Sequence, residues 1–121
     1  MPVRRTPDPD APLPVSEFQI LLAIADGERH GYAIMQEVER RSEGLVRLGP
    51  GTLYGSIKRM LAAGLIAESG ERPAPGRDDE RRRYYRITAL GKRVATAEAR
   101  RMERLVSAAR AKRLLGRPEP A

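Results

Sequence analysis

The run from Gly49 to Ile66, GPGTLYGSIKRMLAAGLI, constrains the fold of this chain more than any other stretch. Pro50 suits the first turn of a helix, where its missing N–H is not needed, and Gly49 is an acceptable N-cap. Placed around a helix, Leu53, Ile57, Met60 and Leu61 fall together, which marks a buried face. The opposite face carries Gly51, Thr52, Gly55, Lys58, Arg59 and Ala62, with Tyr54 on its flank. Each exposed helical glycine costs about 1 kcal/mol relative to alanine. Two of them on one outward face therefore argue for the close approach of a partner. Lys58, Arg59, the Thr52 hydroxyl and the Tyr54 phenol would reach it. Gly64 stops the helix, and Leu65-Ile66 begins an extended run. The stretch reads as a DNA-reading helix that passes straight into a strand.

Charge supports a polyanionic partner. The 121 residues make one domain with a modest core, and 23 Lys and Arg against 16 Asp and Glu give a net charge of +7. The excess is uneven: residues 1–70 carry eight cations and nine anions, whereas residues 89–121 carry nine cations and three anions. Absence of cysteine excludes disulfides and thiolate metal sites. His30 is the only histidine, which leaves no metal-ligand set; it reads as a helix-start residue contacting backbone or phosphate. No nucleophile–base pair and no phosphate-cradling glycine motif is present, so neither an enzyme nor a cofactor is expected. No apolar run approaches the ~20 residues of a membrane span, and the N-terminus lacks a signal-peptide apolar region. A cytoplasmic protein with no membrane partner is the expectation.

In chain order, residues 1–14 hold five prolines and no periodicity, which predicts a flexible arm. Ser16 has Gln19 at capping-box spacing and is expected to open the first helix, with Phe18, Leu21, Leu22 and Ala25 inward. A second helix should begin near His30-Gly31 and bury Ile34, Met35 and Val38. After the reading helix, Leu65–Ser69 and Arg81–Thr88 read as two strands flanking a polar tip, residues 70–80. The basic second strand would offer Arg81, Arg82 and Arg83 to phosphates, or pair them with Asp78, Asp79 and Glu80 in the same hairpin. Tyr54 reads either as a phosphate-contacting hydroxyl or as half-buried packing. Thr88 should cap a last helix running from Ala89 to about Leu115, with residues 116–121 a flexible tail. Leu90, Val94, Met102, Leu105, Val106 and Ala109 belong to its broad apolar band. Three short helices cannot cover so long a helix, so a second chain should meet it. The fold class is mainly α with a small β-hairpin wing: a winged helix-turn-helix over residues 15–88 and a long dimerisation helix over 89–115.

The order Ser-x-x-Gln-x-x-x-Leu, HGYAIMQEVE, GTLYGSIKRMLAAGLI and RRRYYRITALGKR resembles the PadR family of bacterial transcriptional regulators, over most of residues 14 to 115. The resemblance implies a winged-helix repressor that binds double-stranded operator DNA as a homodimer, in the family's compact branch with a single C-terminal helix. By residue, it places DNA contact on Thr52 to Arg59, with Gly55 and Ser56 among them, on the wing from Gly70 to Arg83, and on His30 and Tyr32 of the HGY motif. It also implies release by a small apolar effector. Compact members that hold flat aromatic ligands do so in an aromatic-lined pore at the dimer centre, and the last helix here has no aromatic residue. The alternative from a different class is a winged-helix module that docks a protein through the same face. A basic face with small residues favours nucleic acid.

Overall fold

The computed structural model describes residues 12–74 and 77–116, with the side chains of residues 73–81 outside that description. The expected N-terminal arm (but for its last residues) and the C-terminal tail (but for Gly116) fall outside the described residues. Helix α1 spans Val15–Ala23, strand β1 Arg29–His30, α2 Gly31–Arg41, α3 Pro50–Ala62, β2 Ile66–Ala74, β3 Arg77–Ile87 and α4 Ala89–Ala111. The three strands form one antiparallel sheet in the order β1-β3-β2. The expected class, mainly α with a small β wing, is what the chain adopts.

The core lies where α1, α2 and α3 converge over the root of the sheet. Ile20, Leu21, Ile24, Ile34, Val38, Leu53, Ile57, Met60, Leu65, Ile66, Tyr85 and Val94 fill it. Helix α1 is buried on more sides than its expected stripe allowed, because other helices surround it. Ile20 and Ala23 are buried, Leu22 is half-buried and Ala25 is exposed. Its start also differs from expectation. Pro14 is the N-cap, no side chain caps the helix, and Ser16 already lies in its first turn. Proline's fixed φ suits that position without a capping hydroxyl.

Helix α3 begins on Gly49 with Pro50 in its first turn, as expected. It ends at Gly64, whose φ of +77° is left-handed and favours glycine. The hairpin is longer than its side chains suggested. Pairing runs from Ile66↔Ile87 out to Arg72↔Arg82 and Ala74↔Arg77, so most of the expected polar tip is ladder. Backbone hydrogen bonds satisfy an exposed ribbon whatever the polarity of its side chains. A bulge at Ser69 shifts the register, and Gly70 beside it has φ +123°. The last helix stops at Ala111, one turn short of Leu115, with Lys112 as its C-cap. Its start is welded to the turn after α3. Thr88 Oγ1 accepts from Gly91 N at 3.0 Å while donating toward the carbonyls of Gly64, at 2.6 Å, and Leu65, at 3.0 Å.

Candidate functional site

Leu53, Ile57 and Met60 plug α3 into the core, which turns Thr52, Tyr54, Lys58 and Arg59 to solvent and leaves Gly55 half-buried. This is the outward face expected from the helical period. Ser56, which the resemblance rather than the period put among the contacts, is not on this face: its side chain is fully buried, so it is not available to a partner. The reason is visible on the wheel, where position 56 sits one turn from both Leu53 and Met60. Its hydroxyl accepts a hydrogen bond from Arg59 Nη2 at 3.1 Å. Arg59 Nε also faces Glu17 Oε1 of α1 at 3.5 Å.

His30 does two jobs at the junction of β1 and α2. Its Nδ1 accepts from the N–H of Ala33 at 3.1 Å and caps α2. Its Nε2 stands 3.0 Å from Arg82 Nη1 on β3. Both neighbours are donors, and a neutral imidazole has a single acceptor, so the two contacts compete. Burial first, and then the Arg82 charge, hold the His30 pKa below its ordinary value. Tyr84 meets the His30 ring edge-on, with centroids 5.3 Å apart, and the Arg72 guanidinium lies 4.1 Å over the Tyr84 ring. Arg72 also bridges to Glu28. Tyr32, in the first turn of α2, is exposed, and the Tyr54 hydroxyl packs so close to Gly31 that a Cβ there would stand 2.6 Å from it.

The three wing arginines therefore have separate surroundings. The side chain of Arg81 lies outside the described residues. Arg82 is half-buried against His30. Arg83 is exposed and ion-paired with Glu71 at 3.2 Å and Glu68 at 3.7 Å, and these carboxylates raise its pKa. The expected competitors Asp78, Asp79 and Glu80 have side chains outside the description; among the described residues, acids from β2 and from the loop before β1 pair with the wing arginines.

The apolar band of α4 divides in two. Val94 is buried in this chain's own core and so is not free for a second chain, and Leu90 is half-buried beside it. Glu98 breaks the band. It is buried, it pairs with Arg101 at 2.7 Å, and it accepts the N–H of Leu13 at 3.0 Å. Beyond it Leu105 is 71% and Val106 41% exposed, with Met102 and Ala109 half-buried. Sequence reasoning missed Glu17, Glu28 and Arg72, whose partners lie far away in the chain.

Among the described residues no group of three or more His, Asp or Glu is placed to hold a metal ion, and no helix is long and apolar enough to cross a membrane. Residues 20–97 match the model of the transcriptional regulator PadR-like family. The chain is 39% identical over 88 residues to a transcriptional regulator of Mycobacterium tuberculosis, covering 73% of this chain and 76% of that one. It is 37% identical over 90 residues to an uncharacterized transposon protein of Streptomyces fradiae, covering 74% of this chain and only 24% of the relative. A PadR family regulator from Clostridium difficile superposes with a TM-score of 0.66 at 23% identity, covering 84% of this chain and 98% of that one. Bacillus subtilis PadR in complex with operator DNA gives a TM-score of 0.57 at 17% identity, covering 90% of this chain and 52% of that one.

Proposed function

The chain belongs to the PadR-like family of transcriptional regulators, a family of regulators rather than enzymes, and we propose that it is a repressor that binds operator DNA as a homodimer in the bacterial cytoplasm. One observation carries the reading. The outward face of α3 is small and basic, with Thr52, Lys58 and Arg59 exposed beside Gly51 and Gly55. Lys58 and Thr52 would enter or border the major groove. Arg82 and Arg83 of the wing would reach phosphates, as would Tyr32 and the N-terminus of α2. A Bacillus subtilis protein of the same fold was solved in complex with operator DNA, which supports DNA as the partner. Met102, Leu105, Val106 and Ala109 would meet their mates across a two-fold axis and set the reading helices on two half-sites. A small apolar effector would act on that same apolar contact between chains.

The test starts from a duplex selected by the protein out of a randomised pool. Replacing Lys58 and Arg59 with Ala should leave the fold intact, weaken binding, and reduce the log–log salt slope by about two if both touch phosphate. A folded double variant with unchanged affinity for the selected duplex would refute the assignment.

A further inference from the structure

A carboxylate beneath the reading face of a DNA-binding protein is out of place, because it repels the polyanion. Glu17 is such a group. It sits on α1, its side chain 11% exposed, with Oε1 3.5 Å from Arg59 Nε. The Arg59 side chain is 66% exposed, yet its guanidinium is held from two directions: Nε faces Glu17, and Nη2 donates to the buried Ser56 hydroxyl at 3.1 Å. The remaining nitrogen, Nη1, lies over Gly55, 3.6 Å from where a Cβ would stand. Three residues with no obvious common purpose (a buried acid, a buried hydroxyl and a glycine) thus surround one guanidinium.

We infer that Glu17 is a positioning and specificity residue. It holds the Arg59 guanidinium in one orientation on the reading face and withholds it from random phosphates. A flexible arginine gains nearly as much from any phosphate as from the intended contact, so it raises non-specific and specific binding together. Held by a carboxylate and a hydroxyl, it approaches the duplex already oriented, and its charge is balanced until the correct contact forms. Lys58, one residue away, is the contrast: its exposed side chain forms no ion pair or hydrogen bond among the described residues, and it supplies plain electrostatic attraction. The inference rests on the reading of α3 as the DNA-contacting helix.

The experiment compares Glu17→Gln with the parent full-length protein on two duplexes: one selected by the parent from a randomised pool, and a scramble of the same composition. Gln keeps the size and an acceptor but removes the charge. The ratio of the two affinities should fall about two- to fivefold, the range expected for one partly exposed ion pair. The loss should come mainly from tighter binding to the scrambled duplex, with its salt slope steepened by about one unit as a freed cation joins the phosphates. A ratio equal to the parent's, or an equal weakening on both duplexes, would overturn the inference, since Glu17 would then only support the fold. If Glu17→Gln fails to fold, Arg59→Lys serves. It keeps the charge but cannot be held at two nitrogens, and the same drop in ratio is expected, the same constancy refuting. A parent that selects no duplex would sink the DNA reading itself, whereas a selected duplex with an unmoved ratio would sink only the role of Glu17.

Discussion

Gly91 offers a sharp test of how α4 is joined to the rest of the chain. A Cβ at this position would stand 2.0 Å from the carbonyl oxygen of Leu65, 2.8 Å from Ile87 Cγ1 and 3.0 Å from the Leu65 carbonyl carbon. The first distance is well inside van der Waals contact, and the atom met is backbone, which cannot swing aside. Leu65 O also accepts from Thr88 N at 3.1 Å and from Thr88 Oγ1 at 3.0 Å, so pushing it away strains both bonds. Overpacking of this kind costs about 1–3 kcal/mol, and each hydrogen bond lost adds about 1 kcal/mol. Helix propensity works in the other direction, favouring Ala over Gly by about 1 kcal/mol. Gly91→Ala should therefore lower stability by roughly 2–4 kcal/mol, opposite in sign to the propensity argument. Urea denaturation followed by circular dichroism, at fixed protein concentration, measures it. Gly51→Ala is the control, because nothing lies within 4 Å of its Cβ position, and it should be neutral or mildly stabilising. A Gly91→Ala variant as stable as the parent would show that α4 is not seated on the Leu65 carbonyl.

His30 makes stability depend on pH. Burial and then Arg82 hold its pKa below the ordinary 6.5, so below that value the unfolded chain takes up a proton that the folded chain resists. The contribution is fully present above about pH 6.5 and is lost as pH falls toward the folded value. His30→Asn keeps a capping oxygen and should flatten this acid limb of the stability–pH curve; an unchanged limb would refute it. For the proposed dimer, Leu105→Glu with Val106→Glu should give a monomer by sedimentation, and a variant that stays dimeric would refute pairing through this part of α4.

Local signals carried most of the fold. Gly49-Pro50, the stripe of Leu53, Ile57 and Met60, and Gly64 all act within a few residues, so the helix they mark was legible to within a residue. Thr88 as the cap of α4 was legible for the same reason. Strand β1 was not. Arg29 and His30 have no strand pattern of their own and are extended because Tyr84 and Tyr85 of β3 pair with them. The division of the α4 band was hidden too, since nothing local says that Leu90 and Val94 serve this chain's core while Leu105 and Val106 do not. At the site, the period found which residues of α3 face outward; Ser56, which only the resemblance put among the contacts, is buried. The tethers were illegible, because Glu17 with Arg59 and Glu28 with Arg72 join residues more than forty apart in sequence.

The sheet order has a consequence for how copies of this protein tolerate one another. Strand β2 is outermost, so its far edge carries main-chain groups outside the ladder, the usual template on which ribbons from separate molecules polymerise. Along that edge Pro73 has no N–H to give, the bulge at Ser69 breaks the repeat, and Glu68, Glu71 and Arg72 are exposed charges. An incoming strand would find few consecutive partners and would have to desolvate ions to use them. The hairpin can thus extend well beyond its hydrophobic root and stay a single-molecule structure.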